Sequence, residues 1–302
     1  MKRLRANDWQ ASPRVVPYDE DSSNAVTIHS SADPQKPSAW LQQDLAIASE
    51  VQRASFPQGP PAIPGLKFAT FYKPALSLGG DYYDFIALQD GAWGIAVGDV
   101  SGKGIGAALV LANLQASLRA QRLHRRPGLE TLMANVNRLV WESSPGHFFA
   151  SLFYAEYRPE SRVLEYVNAG HNPPLVLRRN EDRSVLVQLK PECAPVGLLE
   201  GSTFTSTTLQ LENADVLIAY TDGITESENP CGNAFGHQRL ESMLHSCLSR
   251  DPHGILQLIL DEVSAHAAGA PQADDITIVV MRVEDPLENR VQSAPDKPCL
   301  PG

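Results

Sequence analysis

Cysteine is scarce: there are four in 302 residues, and Cys193, Cys231, Cys247 and Cys299 form no CxxC pair. That spacing argues against a disulfide framework or a zinc site. Basic residues are outnumbered, 25 Lys+Arg against 35 Asp+Glu, for a formal net charge of -10. Binding to a phosphate backbone needs a basic patch, so no nucleic-acid partner is expected. No apolar run approaches the ~20 residues of a membrane span, which argues against a membrane partner. The amino terminus, MKRLRANDWQ, has the charges of a secretory leader, but no apolar stretch follows them. What is present is 43% hydrophobic and 20% charged, a globular composition with material for a sizeable core. These counts describe a cytoplasmic protein of one large or two ordinary domains.

Residues 1–38 are rich in Ser, Pro, Asp and Arg without an apolar period, and are expected to be a disordered segment. From residue 39 the pattern changes. Trp40, Leu41, Leu45, Ile47, Ala48, Val51 and Ala54 recur at helical spacing. The Pro-rich run FPQGPPAIPG, residues 56–65, then stops that helix, because proline has no amide donor and disfavours helix before it. Residues 39–65 therefore read as a linker helix with a stiff connector, and the helix over 39–56 is a candidate contact for a regulatory partner or a second copy. Residues 66–284 form the main domain, and 285–302 are expected to be a flexible tail.

Within the main domain, strand signals fall at 66–72, 81–88 and 93–99, with Gln89-Asp90-Gly91 as a hairpin turn. Residues 104–122 read as a mostly buried helix and 129–140 as an amphipathic one. Further strands are expected at 149–157, 162–168, 174–179, 185–190, 203–211 and 215–222. Helical patterns at 236–249 and 253–267 and a last strand at 274–283 follow. Hairpin-linked strands with helices in two pairs are not the βαβ alternation of a parallel sheet. They predict an α+β fold with antiparallel sheets covered by helix pairs.

Four segments place an Asp at the start or end of an apolar strand, usually beside Gly: LGGDYYDF, VGDVSGKG, AYTDGITE and QADDIT. One such Asp is most often a turn former. Four on neighbouring strand ends can converge, and several carboxylates in one pocket raise each other's pKa unless a cation neutralises them. No His or Cys stands beside them at ligand spacing, and an all-oxygen set favours Mg²⁺ or Mn²⁺ over Zn²⁺. Two such ions can ionise a water and aim it at phosphorus. Strand alternation sends Asp81 and Asp84 to opposite faces, so at most one reaches the site, and the same restriction applies to Asp274 and Asp275. A turn carbonyl such as that of Val100 could complete a metal's shell.

GGDYYDF, GDVSGKG, GHNPP, YTDGITE and DDIT, in this order, resemble the motifs of the bacterial metal-dependent PPM (PP2C-like) serine/threonine phosphatases, most closely the SpoIIE/RsbU type. The resemblance covers residues 40–283, including VQRASFP before the main domain. It implies a four-layer αββα sandwich of two antiparallel sheets flanked by helix pairs. It also implies two Mn²⁺ or Mg²⁺ ions and hydrolysis of phosphoserine or phosphothreonine on a protein. Carried over by motif, Asp99 bridges the two metals, the Val100 carbonyl binds one, and Asp81, Asp222 and Asp274 supply the other ligands directly or through water. Asp275, Glu226 and Lys103 are candidates for the surrounding shell, with Lys103 a possible phosphate contact.

Two features depart from the broader pattern. Ser101 stands where a leaving-group His is found elsewhere, and ALSL, residues 75–78, replaces a phosphate-gripping Arg. The leaving alkoxide must then be protonated by metal-bound water or another group. His171 in GHNPP reads as a structural turn residue. The resemblance further implies a phosphorylated STAS-type anti-sigma-factor antagonist as substrate, in stress signalling. Two other readings stay open. One is a catalytically silent docking protein of the same fold. The other is a nucleotide-using enzyme, although Gly98, Gly102, Lys103 and Gly104 lack P-loop spacing.

Overall fold

A computed structural model describes residues 39–124, 127–144, 146, 148–180 and 183–284. The expected disordered segment 1–38 and tail 285–302 lie outside the described residues. The chain divides between Gln42 and Gln43 into two compact units. Of the first, only residues 39–42 are described, as the opening of helix α1 (Ala39–Ser55).

Among its described residues the second unit carries ten strands in two five-stranded sheets whose ladders are all antiparallel. One sheet has the order β1-β10-β9-β6-β7. Its strands are β1 (Leu66–Lys73), β6 (Leu175–Asn180), β7 (Arg183–Gln188), β9 (Val216–Tyr220) and β10 (Ile276–Val283). The other has the order β2-β3-β4-β5-β8. It is built from β2 (Asp81–Ala87), β3 (Trp93–Val100), β4 (Ala150–Arg158), β5 (Val163–Ala169) and β8 (Thr207–Gln210). The second sheet is covered by α2 (Ile105–His124) and α3 (Leu129–Ser143), and the first by α5 (His237–Leu244) and α6 (Pro252–Ala267). A four-residue helix, α4 (Asp222–Thr225), follows β9. This is the predicted αββα order.

Strand alternation builds the middle layer. Phe68, Ile95, Phe153, Leu164, Val176, Leu217 and Met281 point between the sheets and form one cluster. Ala96, Leu152 and Tyr154 instead meet Leu114, Leu132 and Val136 of α2 and α3. Each large side chain fully buried this way contributes about 1.5–3 kcal/mol. Two expectations are adjusted. The strand expected over 203–211 pairs with β5 only over Thr207–Gln210, and the helix expected over 236–249 closes at Leu244. Among the described residues no helix is long and apolar enough to cross a membrane.

The layered order has a functional consequence. β2, β3, β9 and β10 are placed so that the start of β2, the end of β3 and the loops after β9 and before β10 lie at one end of the sandwich.

Candidate active site

The β2–β3 register sets Asp81 directly opposite Asp99, and β3–β4 sets Asp99 opposite Ser151. Like charges opposed across an antiparallel pair are destabilising. Asp81 is nearly sealed, at 1% exposure. Its Oδ2 accepts hydrogen bonds from the Thr221 hydroxyl at 2.7 Å and the Thr277 hydroxyl at 2.6 Å. The Thr221 hydroxyl oxygen in turn accepts from the Thr277 amide at 3.0 Å, so β9 and β10 jointly aim this carboxylate. Burial, followed by the Asp99 charge, holds Asp81 well above the usual carboxylate range despite those hydroxyls.

Asp99 is pushed up to about 8, first by burial and then by Asp222, Asp274 and Asp275, with Lys103 opposing. Asp222, the first residue of α4, is raised to about 6 by burial and by the Glu226 and Asp274 charges. The structure thus brings Asp81, Asp99, Asp222 and Asp274 into one electrostatic neighbourhood. Raised carboxyls such as Asp81, Asp99 and Asp222, pushed up by burial and by neighbouring negative charge, are a functional-site signature.

The adjacent pair divides as alternation requires. Asp274 turns outward and pairs with the Lys103 ammonium at 2.7 Å, while its Oδ1 accepts from the Asp275 amide. Lys103 also donates to the Ala273 carbonyl at 2.5 Å. Asp275 turns inward and is used on backbone. Its Oδ1 accepts from the Ala75 amide at 2.6 Å, and its Oδ2 from Gly80 at 2.6 Å and Asp81 at 3.4 Å. Asp275 therefore shapes the loop that delivers Asp81.

Asp84 points away from this cluster. It accepts two hydrogen bonds from Arg119 of α2, at 2.7 and 2.8 Å, and one from the Tyr82 hydroxyl. His171 is fully buried, with Nδ1 2.8 Å from the Ser151 hydroxyl and its amide donating to Asn168 Oδ1. Burial lowers it to about 4, so it is a neutral packing residue near neutral pH. Glu226 is exposed; its amide closes α4 on the Asp222 carbonyl, and its charge acts on Asp222.

Two glycines are required by close approach. A Cβ on Gly80 would lie 2.8 Å from the Val100 carbonyl oxygen and 3.5 Å from Asp99 Oδ1. On Gly223 it would overlap the Asp275 carbonyl oxygen. Bare backbone at Gly80 thus leaves room both at the Val100 carbonyl and at the Asp99 carboxylate.

The donor set fits hard divalent cations: carboxylates, a backbone carbonyl and no imidazole or thiolate. Among the described residues no three Asp, Glu, His or Cys side chains converge on one point. An ion here would draw on one or two carboxylates and fill its shell with carbonyl oxygen and water, as Mg²⁺ commonly does.

Pattern reading did not find Thr221, Thr277 or Gln52. The Gln52 amide of α1 donates to the Gly79 carbonyl at 2.8 Å, and its Oε1 accepts from the Gly79 amide at 3.2 Å. The only sequence signal was proximity: Thr221 precedes Asp222, and Thr277 follows Asp275 by one strand period.

Comparison with known proteins agrees with this fold. The family model described as Stage II sporulation protein E (SpoIIE) matches residues 89–284. Protein IcfG of Synechocystis sp. is 29% identical over 265 residues, covering 79% of this chain and 41% of that protein. Phosphoserine phosphatase RsbU of Bacillus subtilis is 24% identical over 245 residues, covering 80% of this chain and 70% of that protein. Among solved structures, the SiaA-PP2C domain of Pseudomonas aeruginosa superposes with a TM-score of 0.69 at 20% identity, covering 81% of this chain and 98% of the domain. That likeness speaks to the fold. The chain thus spans less than half of the first relative and about two thirds of the second.

Proposed function

This chain belongs to the SpoIIE family of bacterial PPM-type phosphatases, and on that premise we propose that it is a metal-dependent phosphatase acting on phosphoserine or phosphothreonine of a signalling protein. The observation that carries the reading is the cluster of mutually repelling carboxylates, Asp99 foremost, at one end of the sandwich. Asp99 faces Asp81 across β2–β3 and feels the Asp222 and Asp274 charges, which supports it as the proposed shared ligand. Asp81, Asp222, Asp274 and the Val100 carbonyl are the other proposed ligands of two Mn²⁺ or Mg²⁺ ions. When bound, these ions supply the Lewis acidity that ionises a water near neutral pH and polarises a phosphoryl group.

The chain's own residues prepare that chemistry. Thr221 and Thr277 fix one oxygen of Asp81, leaving the other directed by the strand. Asp275 locks the 75–81 loop through three amides. Lys103 offsets part of the negative charge through Asp274, a more direct role than gripping phosphate. The name of the relative RsbU supports phosphoserine as the substrate group, and a phosphorylated STAS-type anti-sigma-factor antagonist is the proposed target in a stress-response pathway. Three described cysteines are free, in keeping with a cytoplasmic setting. The test is phosphate release from a phosphoserine protein with and without Mn²⁺. Release that needs the ion supports an enzyme; no release and no Mn²⁺ binding by calorimetry would leave a docking protein.

Regulation is proposed through α1. Gln52 ties this helix to Gly79, one residue from the Asp275-clamped Gly80, so movement of α1 reaches the Asp81 loop. On the same side Ile47, Val51, Ile105 and Leu109 are 50–67% exposed, a run of apolar side chains suited to a second copy. Leu109→Asp is expected to convert a dimer to a monomer in sedimentation velocity at micromolar concentration. A wild-type chain that sediments as a monomer throughout that range would end the proposal.

A further inference from the structure

Beside the carboxylates the surface opens into a groove of about 780 Å³, in the size range of ligand pockets and far larger than a phosphoryl group needs. Its near end is made by Lys103, Gly223 and Asp274, so it is continuous with the candidate catalytic loops. From there it runs between α6 and the segment after α4. Phe71, Leu260, Val263 and Ile276 give it an apolar floor, and Glu226 and Glu228 stand on one rim.

Hydrogen bonds hold both walls in place. The segment after α4 folds back on itself through a bridge from Glu228 to Ala234, and the Asn229 side chain accepts from the Cys231 and Asn233 amides at 3.0 and 3.1 Å. His266 of α6 lies 2.8 Å from the Asn233 carbonyl and pins this wall to the helix. Opposite, the Gln272 side-chain Nε2 donates to the Lys73 carbonyl at 3.0 Å and to the Asp274 carbonyl at 2.8 Å, fixing the loop before β10. The groove is therefore preformed, and an apolar floor open to water gains free energy when covered.

We propose that this groove binds the polypeptide flanking the phosphorylated residue, seating an apolar side chain of the substrate over Phe71, Leu260 and Val263. The proposal rests on the phosphatase reading and extends it to substrate selection. A phosphoserine reaches the carboxylates tethered to its own backbone, and that backbone must leave along an adjoining surface. The groove adjoins Asp274 and Gly223 directly. The acidic rim disfavours Asp or Glu on the substrate near Glu226 and Glu228.

The test uses the full chain with Mn²⁺, two synthetic phosphoserine peptides and p-nitrophenyl phosphate. One peptide carries leucines around the phosphoserine, the other glutamates. The leucine peptide is expected to be preferred by about tenfold in kcat/KM, the discrimination an apolar pocket typically supplies. Ser264 lines the groove from the exposed side of α6. Ser264→Trp is expected to lower the ratio of leucine-peptide to p-nitrophenyl phosphate hydrolysis about tenfold, through KM, with Ser264→Ala keeping the wild-type ratio. Equal use of the two peptides by the wild-type enzyme overturns the groove alone, as does an unchanged ratio in a folded Ser264→Trp. Failure of the wild-type chain to hydrolyse any of the three esters overturns the phosphatase reading and the groove with it.

Discussion

Asp99→Asn is expected to reduce phosphoserine hydrolysis by about 10³-fold or more while the protein stays folded. The reduction follows from the position of the side chain. Asp99 faces Asp81 across β2–β3 and feels Asp222 and Asp274 from the loops beyond, so cations held by these carboxylates would draw on its charge. Stabilisation by a bound metal amounts to several kcal/mol, and each 1.36 kcal/mol is a factor of ten in rate. Asn keeps the shape and one oxygen but removes the charge. The expectation for stability has the opposite sign. Asp99 without metal is a partly buried carboxylate among like charges, so its neutral replacement relieves repulsion. Thermal unfolding without metal should therefore occur at the same temperature or higher in Asp99→Asn. Measuring both separates chemistry from folding: turnover within tenfold of wild type by a folded variant would contradict the assignment of Asp99.

Much of this site was legible because its carboxylates sit where chain direction changes, and turns leave local signatures. Asp81 follows Gly79-Gly80, Asp99 closes an apolar strand before Ser101-Gly102, and Asp222 precedes Gly223. Alternation alone separated Asp81 from Asp84 and Asp274 from Asp275, and the hydrogen bonds of Asp84 with Arg119 and of Asp275 with the 75–81 loop follow that division. The illegible part is non-local. Thr221 and Thr277 look like ordinary β-branched strand residues; they acquire a role only because β9 and β10 of one sheet pack against the start of β2 in the other. Asp275 acts on amides 200 and 195 positions earlier in the chain. α4 is too short, at four residues, for a 3.6-residue period to register. The strand expected from 203 is cut to Thr207–Gln210 because pairing with β5 stops there, although the Thr-rich composition continues upstream.

The same electrostatics predict that Mn²⁺ affinity rises about a hundredfold between pH 6 and pH 8. Asp99 in the metal-free fold is raised to about 8 and Asp222 to about 6, both chiefly by burial. A carboxyl whose pKa is raised on folding binds its proton more tightly in the native state than in the unfolded chain. Its effect on stability is then most favourable below the ordinary value near 4 and is lost as pH rises through the folded value. Without metal, the protein should thus lose stability from about pH 4 to pH 8, the reverse of a salt-bridged carboxylate. Between pH 6 and 8 the proton on Asp99 competes with the cation, so each pH unit is worth about tenfold in affinity per proton displaced. Below pH 6 the proton on Asp222 adds to the competition and steepens the slope. Calorimetric titration with Mn²⁺ at pH 6.5, in two buffers of different ionisation enthalpy, should report release of about one proton. Added Mn²⁺ should raise the melting temperature far more at pH 8 than at pH 5, because the ion replaces repulsion that is absent when the carboxyls are protonated. Affinity that stays flat from pH 6 to 8, with no proton released, would mean that these carboxylates are already ionised and balanced, and that the cation is held elsewhere.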